Sequence, residues 1–96
     1  QVFSLIAKLQ HRGVDVHVAD PLADETLVSK EYGIDLEPID QLPLSNVLVI
    51  AVAHKAFGSG ENLVENLLQR SGILVDVKAA YRPLISVRPD ITYWSL

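Results

Sequence analysis

Four polar residues of this sequence follow apolar segments at the positions where buried strands would end: Asp20, His54, Lys55 and Lys78. In sheets of parallel strands, ligands bind beyond the carboxyl ends of the strands, so these four side chains are expected at one edge of a sheet. Two lysines and a histidine at such an edge could bind an anion. The aspartate could accept hydrogen bonds from a ligand or from the backbone.

Each of these residues also has a role that needs no ligand. Asp20-Pro21 is typical of a turn in which the carboxylate accepts backbone hydrogen bonds. His54 could donate to a phosphate or a ribose hydroxyl, or could bond a backbone carbonyl at the end of its strand. Lys55 is expected to be solvated. Phe57 could stack on a base or sugar, but packing at the edge of the core is the interpretation we favour.

Asp76 lies inside the apolar segment 73–77, and Lys78 follows it by two residues. A buried carboxylate is costly unless it is paired or hydrogen-bonded, so we expect Asp76 to accept a hydrogen bond from a neighbouring loop. Strand alternation places Lys78 on the same face as Asp76. An ion pair between the two residues is therefore an alternative to a ligand-binding role for Lys78.

Several catalytic motifs are absent from the sequence. It has no GxGxxG motif, and its Gly58-Ser59-Gly60 turn lacks the lysine and hydroxyl residue of a phosphate-binding P-loop. The three histidines fall on separate elements without metal-ligand spacing. No serine occupies a nucleophile elbow. We therefore predict no catalytic residue and no metal site in this chain.

The composition excludes further classes of function. The net charge of −4 argues against general binding to nucleic acids or membrane surfaces, which favours basic patches. No apolar run approaches the ~20 residues of a membrane span. We expect no signal peptide, because the N-terminus has the pattern of an amphipathic helix and lacks a basic segment before an apolar one. Cysteine is absent, which excludes disulfides, thiolate zinc sites and a cysteine nucleophile within these 96 residues. Methionine is absent too, so we expect a piece of a longer polypeptide.

Three segments have the apolar spacing of helices, and a glycine follows each. The glycines predicted to end them are Gly13, Gly33 and Gly72. The apolar faces predicted to be buried are Val2, Leu5, Ile6 and Leu9; Ala23, Leu27, Val28 and Tyr32; and Leu63, Val64, Leu67 and Leu68.

Five segments are predicted to be strands. Residues 14–18 alternate, which directs three valines to the core and leaves Asp15 and His17 on a wetter side. Residues 47–53 are apolar without interruption, which is typical of a central parallel strand buried on both faces. The remaining segments are 34–36, 73–77 and 91–94, and the turn-rich segment 37–45 is predicted to lack regular structure.

This alternation predicts an α/β fold, a Rossmann-like three-layer domain with a mainly parallel sheet and right-handed crossovers. Such a fold begins with a central strand, whereas this chain opens in a helix. An empty position in the sheet would leave buried backbone groups unpaired. We therefore expect that the first strand is missing from this chain and lies upstream.

Four segments in this order, LQHRGVDVHVADPLAD, NVLVIAVAHKAF, ILVDVKAAYRP and the terminal YWSL, cover nearly the whole chain. They resemble the C-terminal, UDP-sugar-binding domain of the UDP-glucose/GDP-mannose dehydrogenase family. The branch that oxidises UDP-N-acetyl-hexosamines is the most similar. The resemblance implies that residues 1–96 are the nucleotide-sugar-binding C-terminal domain of a longer cytoplasmic enzyme.

The resemblance also implies a reaction. Enzymes of the family oxidise the C6 hydroxyl of the sugar to a carboxylate in two NAD-dependent steps, for polysaccharide biosynthesis. The cysteine of the covalent intermediate and the NAD-binding glycines lie upstream, so this fragment alone is expected to be inactive. Its implied partners are a UDP-sugar and the enzyme's own N-terminal and central domains, within a homo-oligomer.

Three residues are implied to bind the substrate. Lys78 matches the family's basic residue on the last main strand, and the resemblance implies that this residue approaches the diphosphate. Many relatives have arginine there; lysine offers a single point charge and cannot bind two phosphate oxygens as a guanidinium does. His54 and Phe57 match a loop near the ligand. Ala79 stands where relatives often have glycine.

A second hypothesis stays open from the residues themselves. A Rossmann-like domain can serve as a non-catalytic structural or dimerisation module, because fold does not determine function. No residue that would read the base is identifiable, so UDP rather than GDP follows from the resemblance alone.

Overall fold

The computed structural model describes residues 2–96, which divide into two compact units, 2–43 and 44–96. The first unit is built from helices and extended segments, and the second contains a three-stranded, all-parallel sheet. The predicted α/β class with a parallel sheet is confirmed. Among residues 2–96, no helix combines the length and the apolarity that crossing a bilayer requires.

Two helices of the first unit match the predicted segments: α1, Val2–His11, and α2, Glu25–Tyr32. Helix α2 begins only after Ala23 of the predicted apolar face, because Asp24 caps it, its carboxylate accepting a hydrogen bond from the Leu27 amide at 3.1 Å. Gly33 ends α2 in the left-handed conformation with φ 66°, as predicted. The turn-rich segment 37–45 contains a 3₁₀ turn at Ile39–Gln41, and a strand begins at its last residue, Ser45.

The core of the first unit is small. Ile6, Val28 and Ile34 are its buried residues. The predicted faces of both helices are only partly buried, since Val2, Leu5, Leu27 and Tyr32 are exposed. Tyr32 nevertheless stacks on Phe3, which was not predicted, with 4.2 Å between ring centroids.

The strand predicted at 14–18 is wrong in extent. Val18 forms an isolated parallel bridge with Leu36, and the Glu37 amide donates to the Val18 carbonyl at 2.8 Å. Val14, expected in the core, is 48% exposed. The predicted 34–36 strand is likewise reduced to this bridge, because the two segments meet at a single residue pair.

The elements of the second unit are β1 Ser45–Ile50, the 3₁₀ turn Lys55–Phe57, α3 Glu61–Leu67, β2 Leu68–Asp76, α4 Leu84–Val87 and β3 Thr92–Ser95. The carboxyl end of β1 leads through the 3₁₀ turn into α3. Strand β2 lies between β1 and β3 in the sheet order β1-β2-β3.

One face of the sheet carries the core of this unit. Leu74 on β2 is fully buried, and it pairs in register with half-buried Leu48 and Tyr93 on the neighbouring strands. The prediction that residues 47–53 form a strand buried on both faces is wrong. The strand ends at Ile50, and Val47 and Val49 on its other face are 48% and 43% exposed.

The junction between α3 and β2 also differs from the prediction, which continued the helix toward Gly72. Leu68 already pairs with Ser45, and the register then slips so that Val47 pairs with Ile73. Ser71, not Gly72, takes the left-handed conformation, with φ 61°.

Gly72 is required at this junction for close packing. A Cβ there would lie 2.8 Å from the Gln69 carbonyl oxygen and 2.9 Å from that of Asn46. The carboxylate of Asp90 holds the junction by accepting a hydrogen bond from the Ser71 amide at 2.7 Å.

His17 provides a test of the first unit. Its Nδ1 lies 2.7 Å from Glu37 Oε2 and its Nε2 lies 3.2 Å from Asp15 Oδ2, so both ring nitrogens face carboxylates. The hydrogen bond to Glu37, followed by the one to Asp15, raises the pKa of His17 above its ordinary value of about 6.5. The protonated His17 ring therefore stabilises the fold through these two carboxylates. This stabilisation is complete below pH ~6.5 and is lost as the pH rises through the raised pKa.

We expect His17→Gln to remove that pH dependence, measured as the urea midpoint of the chain between pH 5 and pH 9. His11→Gln is the matched control, because His11 lies in the last turn of α1 and should leave the profile unchanged. Parallel profiles for the wild type and His17→Gln would contradict the assignment.

Candidate functional site

The carboxyl ends of β1 and β2 lie side by side. Ile50 pairs with Asp76, and the Val77 amide donates to the Ile50 carbonyl at 3.1 Å. The connections that carry His54 and Lys78 therefore start from neighbouring strand ends. This is the edge at which ligands of open α/β sheets bind.

Asp76 is the one buried charged residue among those described, with no exposed surface. Its Oδ1 accepts a hydrogen bond from the Ala80 amide at 3.1 Å. Its Oδ2 accepts from the Tyr81 amide and from the Tyr93 hydroxyl, both at 2.7 Å. The prediction that Asp76 accepts a hydrogen bond from a neighbouring loop is thus confirmed, and β3 supplies a third donor.

The alternative ion pair between Asp76 and Lys78 is wrong. Strand β2 ends at Asp76, and Lys78 lies in the turn after it, so the alternation that placed both residues on one face no longer applies. Lys78 is exposed, and within residues 2–96 its ammonium group makes no ion pair or hydrogen bond. Its charge is therefore available to an external anion.

The loop after β2 has a defined backbone. The Ala79 amide donates to the Asp76 carbonyl at 3.1 Å, and Ala79 itself has φ 54°. This left-handed conformation is favourable for glycine and costly for alanine. Alanine is therefore tolerated at this position at some cost in backbone strain, and the hydrogen bonds to Asp76 hold the loop against it.

Two residues of this region were missed by the sequence reasoning. Tyr93 anchors β3 to Asp76, and burial of the phenol, followed by the hydrogen bond to the carboxylate, raises the pKa of Tyr93. Arg82 places its guanidinium carbon 5.6 Å from the centroid of the Tyr93 ring. The alternation of the terminal strand could have indicated an inward Tyr93, but no sequence signal connects it with Arg82.

The connection after β1 places two predicted residues against each other. The His54 and Phe57 rings meet edge to face with 5.1 Å between centroids. Phe57 is partly buried and packs against the core, which confirms the favoured interpretation of that residue. Lys55 opens the 3₁₀ turn and is exposed.

The glycine turn before α3 does not fit a dinucleotide. A Cβ on Gly60 would lie 2.8 Å from Tyr81 Cδ1 and 3.1 Å from Leu84 Cδ1. The space next to this glycine is filled by the protein's own side chains, where a dinucleotide site needs it open for a pyrophosphate. Gly60 serves packing, and no NAD-binding role is assigned to these residues.

Asp20, in the first unit, has a hydrogen-bond partner of its own. The Asp20 carboxylate accepts from the Leu22 amide at 3.0 Å, which confirms its role in a turn. In the part of the chain that the structure describes, no three His, Cys, Asp or Glu side chains are grouped so that they could hold a metal ion.

Comparison with known proteins places the chain among relatives. Residues 1–83 match the family described as UDP-glucose/GDP-mannose dehydrogenase family, UDP binding domain. Protein CapL of Staphylococcus aureus is 32% identical over 78 residues, which are 81% of this chain and 18% of that protein. The chain thus spans less than a fifth of the length of this curated relative. No solved structure matches significantly.

The hydroxyl of Tyr93 provides a test of the Asp76 network. Tyr93→Phe keeps the ring but removes one donor to a buried carboxylate, so we expect a loss of roughly 1–2 kcal/mol in the free energy of unfolding. Urea denaturation measures it. Tyr32→Phe is the control, because its ring would still stack on Phe3, and an equal loss in both variants would contradict the role of the Asp76–Tyr93 bond.

The strained loop backbone provides a second test. Ala79→Gly should relieve a cost of roughly 1–2 kcal/mol at positive φ, offset in part by the greater freedom of glycine in the unfolded chain. Ala80→Gly is the matched control, since Ala80 has no positive φ and gains only the entropic penalty. In thermal unfolding, the free energy of unfolding of Ala79→Gly should exceed that of Ala80→Gly by about 1 kcal/mol or more. The reverse order would contradict the loop conformation.

Proposed function

This chain belongs to the UDP-glucose/GDP-mannose dehydrogenase family, and on that premise we propose that it binds the diphosphate of a UDP-sugar at the carboxyl ends of β1 and β2. The observation that carries the proposal is the unpaired ammonium group of Lys78, in a loop held by a buried carboxylate. An exposed cation on an ordered loop loses little conformational freedom when it meets an anion.

The surrounding charges support an anionic ligand. Lys55 follows β1 and Arg82 follows β2, so both connections bring cations to this region although the chain as a whole is acidic. The carboxylate nearest in sequence, Asp76, has both oxygens occupied by hydrogen-bond donors. It orders the loop without forming an ion pair with Lys78.

His54 and Phe57 are proposed to complete the site. Phe57 packs on the core, and its ring contacts the His54 ring edge to face. From there a His54 nitrogen would donate to a phosphate oxygen or to a ribose hydroxyl. Phe57 would support His54 and line the site. Its packing against the core leaves less of its ring exposed for stacking on a base.

The reaction belongs to the complete enzyme. We propose that residues 1–96 are the C-terminal domain of a longer cytoplasmic, homo-oligomeric dehydrogenase that oxidises the C6 hydroxyl of a UDP-sugar to a carboxylate for polysaccharide biosynthesis. When bound by the N-terminal domain, NAD would accept the hydrides of this oxidation. The residues of the present chain would hold the substrate, and the reacting groups would come from the other domains.

A packing or dimerisation module is the second candidate. The apolar side chains of Val47, Val49 and Trp94 are exposed on the sheet face opposite the core. Another subunit or domain could cover such an apolar face.

Titration of the chain with UDP, followed by amide NMR shifts, separates the two candidates. Shifts at His54 and Lys78 support the binding function, and none at millimolar UDP favours the packing module.

Lys78→Ala in the full-length enzyme should raise the KM for the UDP-sugar by about tenfold or more, because a charge-assisted contact to phosphate is lost. The KM for NAD should stay unchanged. Steady-state kinetics measures both constants. Lys30→Ala, at an exposed position of α2, is the control, and an unchanged KM in Lys78→Ala would refute the phosphate contact.

A further inference from the structure

We propose that Arg82 is a second cation for the same ligand, and that Lys78 and Arg82 together distinguish a nucleoside diphosphate from a monophosphate. This inference rests on the proposed UDP-binding function. It assigns Arg82 a contact with the ligand, and Tyr93 and Asp76 the role of positioning Arg82.

Arg82 differs from the structural arginine of the same unit. All three guanidinium nitrogens of Arg88 donate hydrogen bonds, to both carboxylate oxygens of Asp90 and to the carbonyls of Val64 and Gln69. Arg82 is exposed, and within residues 2–96 its guanidinium contacts the Tyr93 ring and forms no ion pair. Its five N–H donors are therefore not used by a carboxylate of the described chain.

The Tyr93 ring holds the guanidinium in place. A separation of 5.6 Å lies within the range of a cation–π contact, which is attractive but leaves the edge of the guanidinium open. The ring itself is held at both ends. Its backbone belongs to β3, paired with β2, and its hydroxyl donates to Asp76 at 2.7 Å.

One carboxylate therefore sets the position of both cations. Asp76 accepts from the Tyr81 amide, directly before Arg82, and from the hydroxyl of Tyr93, whose ring contacts Arg82. Lys78 lies two residues beyond Asp76, in the turn closed by the hydrogen bond from the Ala79 amide to the Asp76 carbonyl. Backbone and side-chain contacts thus anchor Lys78 and Arg82 to the same buried group.

The chemistry of the two cations is complementary. Lysine offers a compact point charge, whereas the planar guanidinium can bind two oxygens of one phosphoryl group at once. A diphosphate presents two phosphoryl groups and can engage both cations. A monophosphate has one and can engage one cation fully, so removal of Arg82 should affect the two ligands unequally.

The experiment is calorimetric titration of the full-length protein with UDP, UMP and uridine. We expect Arg82→Ala to weaken UDP binding by about tenfold while changing UMP binding by less than about threefold and leaving uridine binding unchanged. Arg82→Lys keeps the positive charge but loses the bidentate hydrogen bonding of the guanidinium, so it should recover part of the affinity that Arg82→Ala loses. Arg70→Ala, at an exposed position of β2, is the matched control and should bind all three ligands as the wild type does.

The outcomes separate this inference from the proposed function. If the wild type binds neither UDP nor UMP, the proposed function fails and the role of Arg82 fails with it. If Lys78→Ala weakens UDP binding and Arg82→Ala does not, the proposed function stands and this inference is overturned. An equal loss of UDP, UMP and uridine binding in Arg82→Ala would show a general structural role and would also overturn it.

Discussion

Burial of the Asp76 carboxylate is the constraint on which the carboxyl edge of the sheet depends. A carboxylate without contact to water is costly unless donors surround it, and here three donors come from two different segments. Two of them are amides of the chain immediately after β2, so that chain must fold back over the strand end. The third is a side chain of β3, which ties the last strand to the same point.

The left-handed backbone at Ala79 follows from this requirement. To bring the Ala80 and Tyr81 amides onto a carboxylate four and five residues earlier, the chain reverses direction within a few residues. The strain of a non-glycine residue at φ 54° is small compared with the cost of leaving the carboxylate without donors. The same reversal exposes Lys78, so a cation stands at the surface next to a buried anion without pairing with it.

Strand β2 is held near its start by a second aspartate. Asp90 accepts from the Ser71 amide and from Arg88, and the hydrogen bond from Arg88, followed by that from Ser71, lowers the pKa of Asp90 well below its ordinary range. This pair is more exposed than Asp76, so screening by water reduces its value for stability. Asp90 stabilises the junction between helix and strand, whereas Asp76 fixes the end of the strand and the fold of the loop after it.

Much of this arrangement could be predicted from residue patterns, because it depends on local spacing. The apolar segments before His54 and Lys78 determined that two parallel strands end near these residues, Gly33 determined a helix end, and the order of segments determined the fold class and indicated the family. What depends on distant partners could not be predicted: Ser45 ends α3 early by pairing with Leu68, and β3 supplies Tyr93 to Asp76. Sequence spacing thus located the cation at Lys78. Only the tertiary structure decided that Lys78 does not pair with Asp76, because donors from β3 and the loop occupy the buried carboxylate and the Lys78 ammonium group does not reach it.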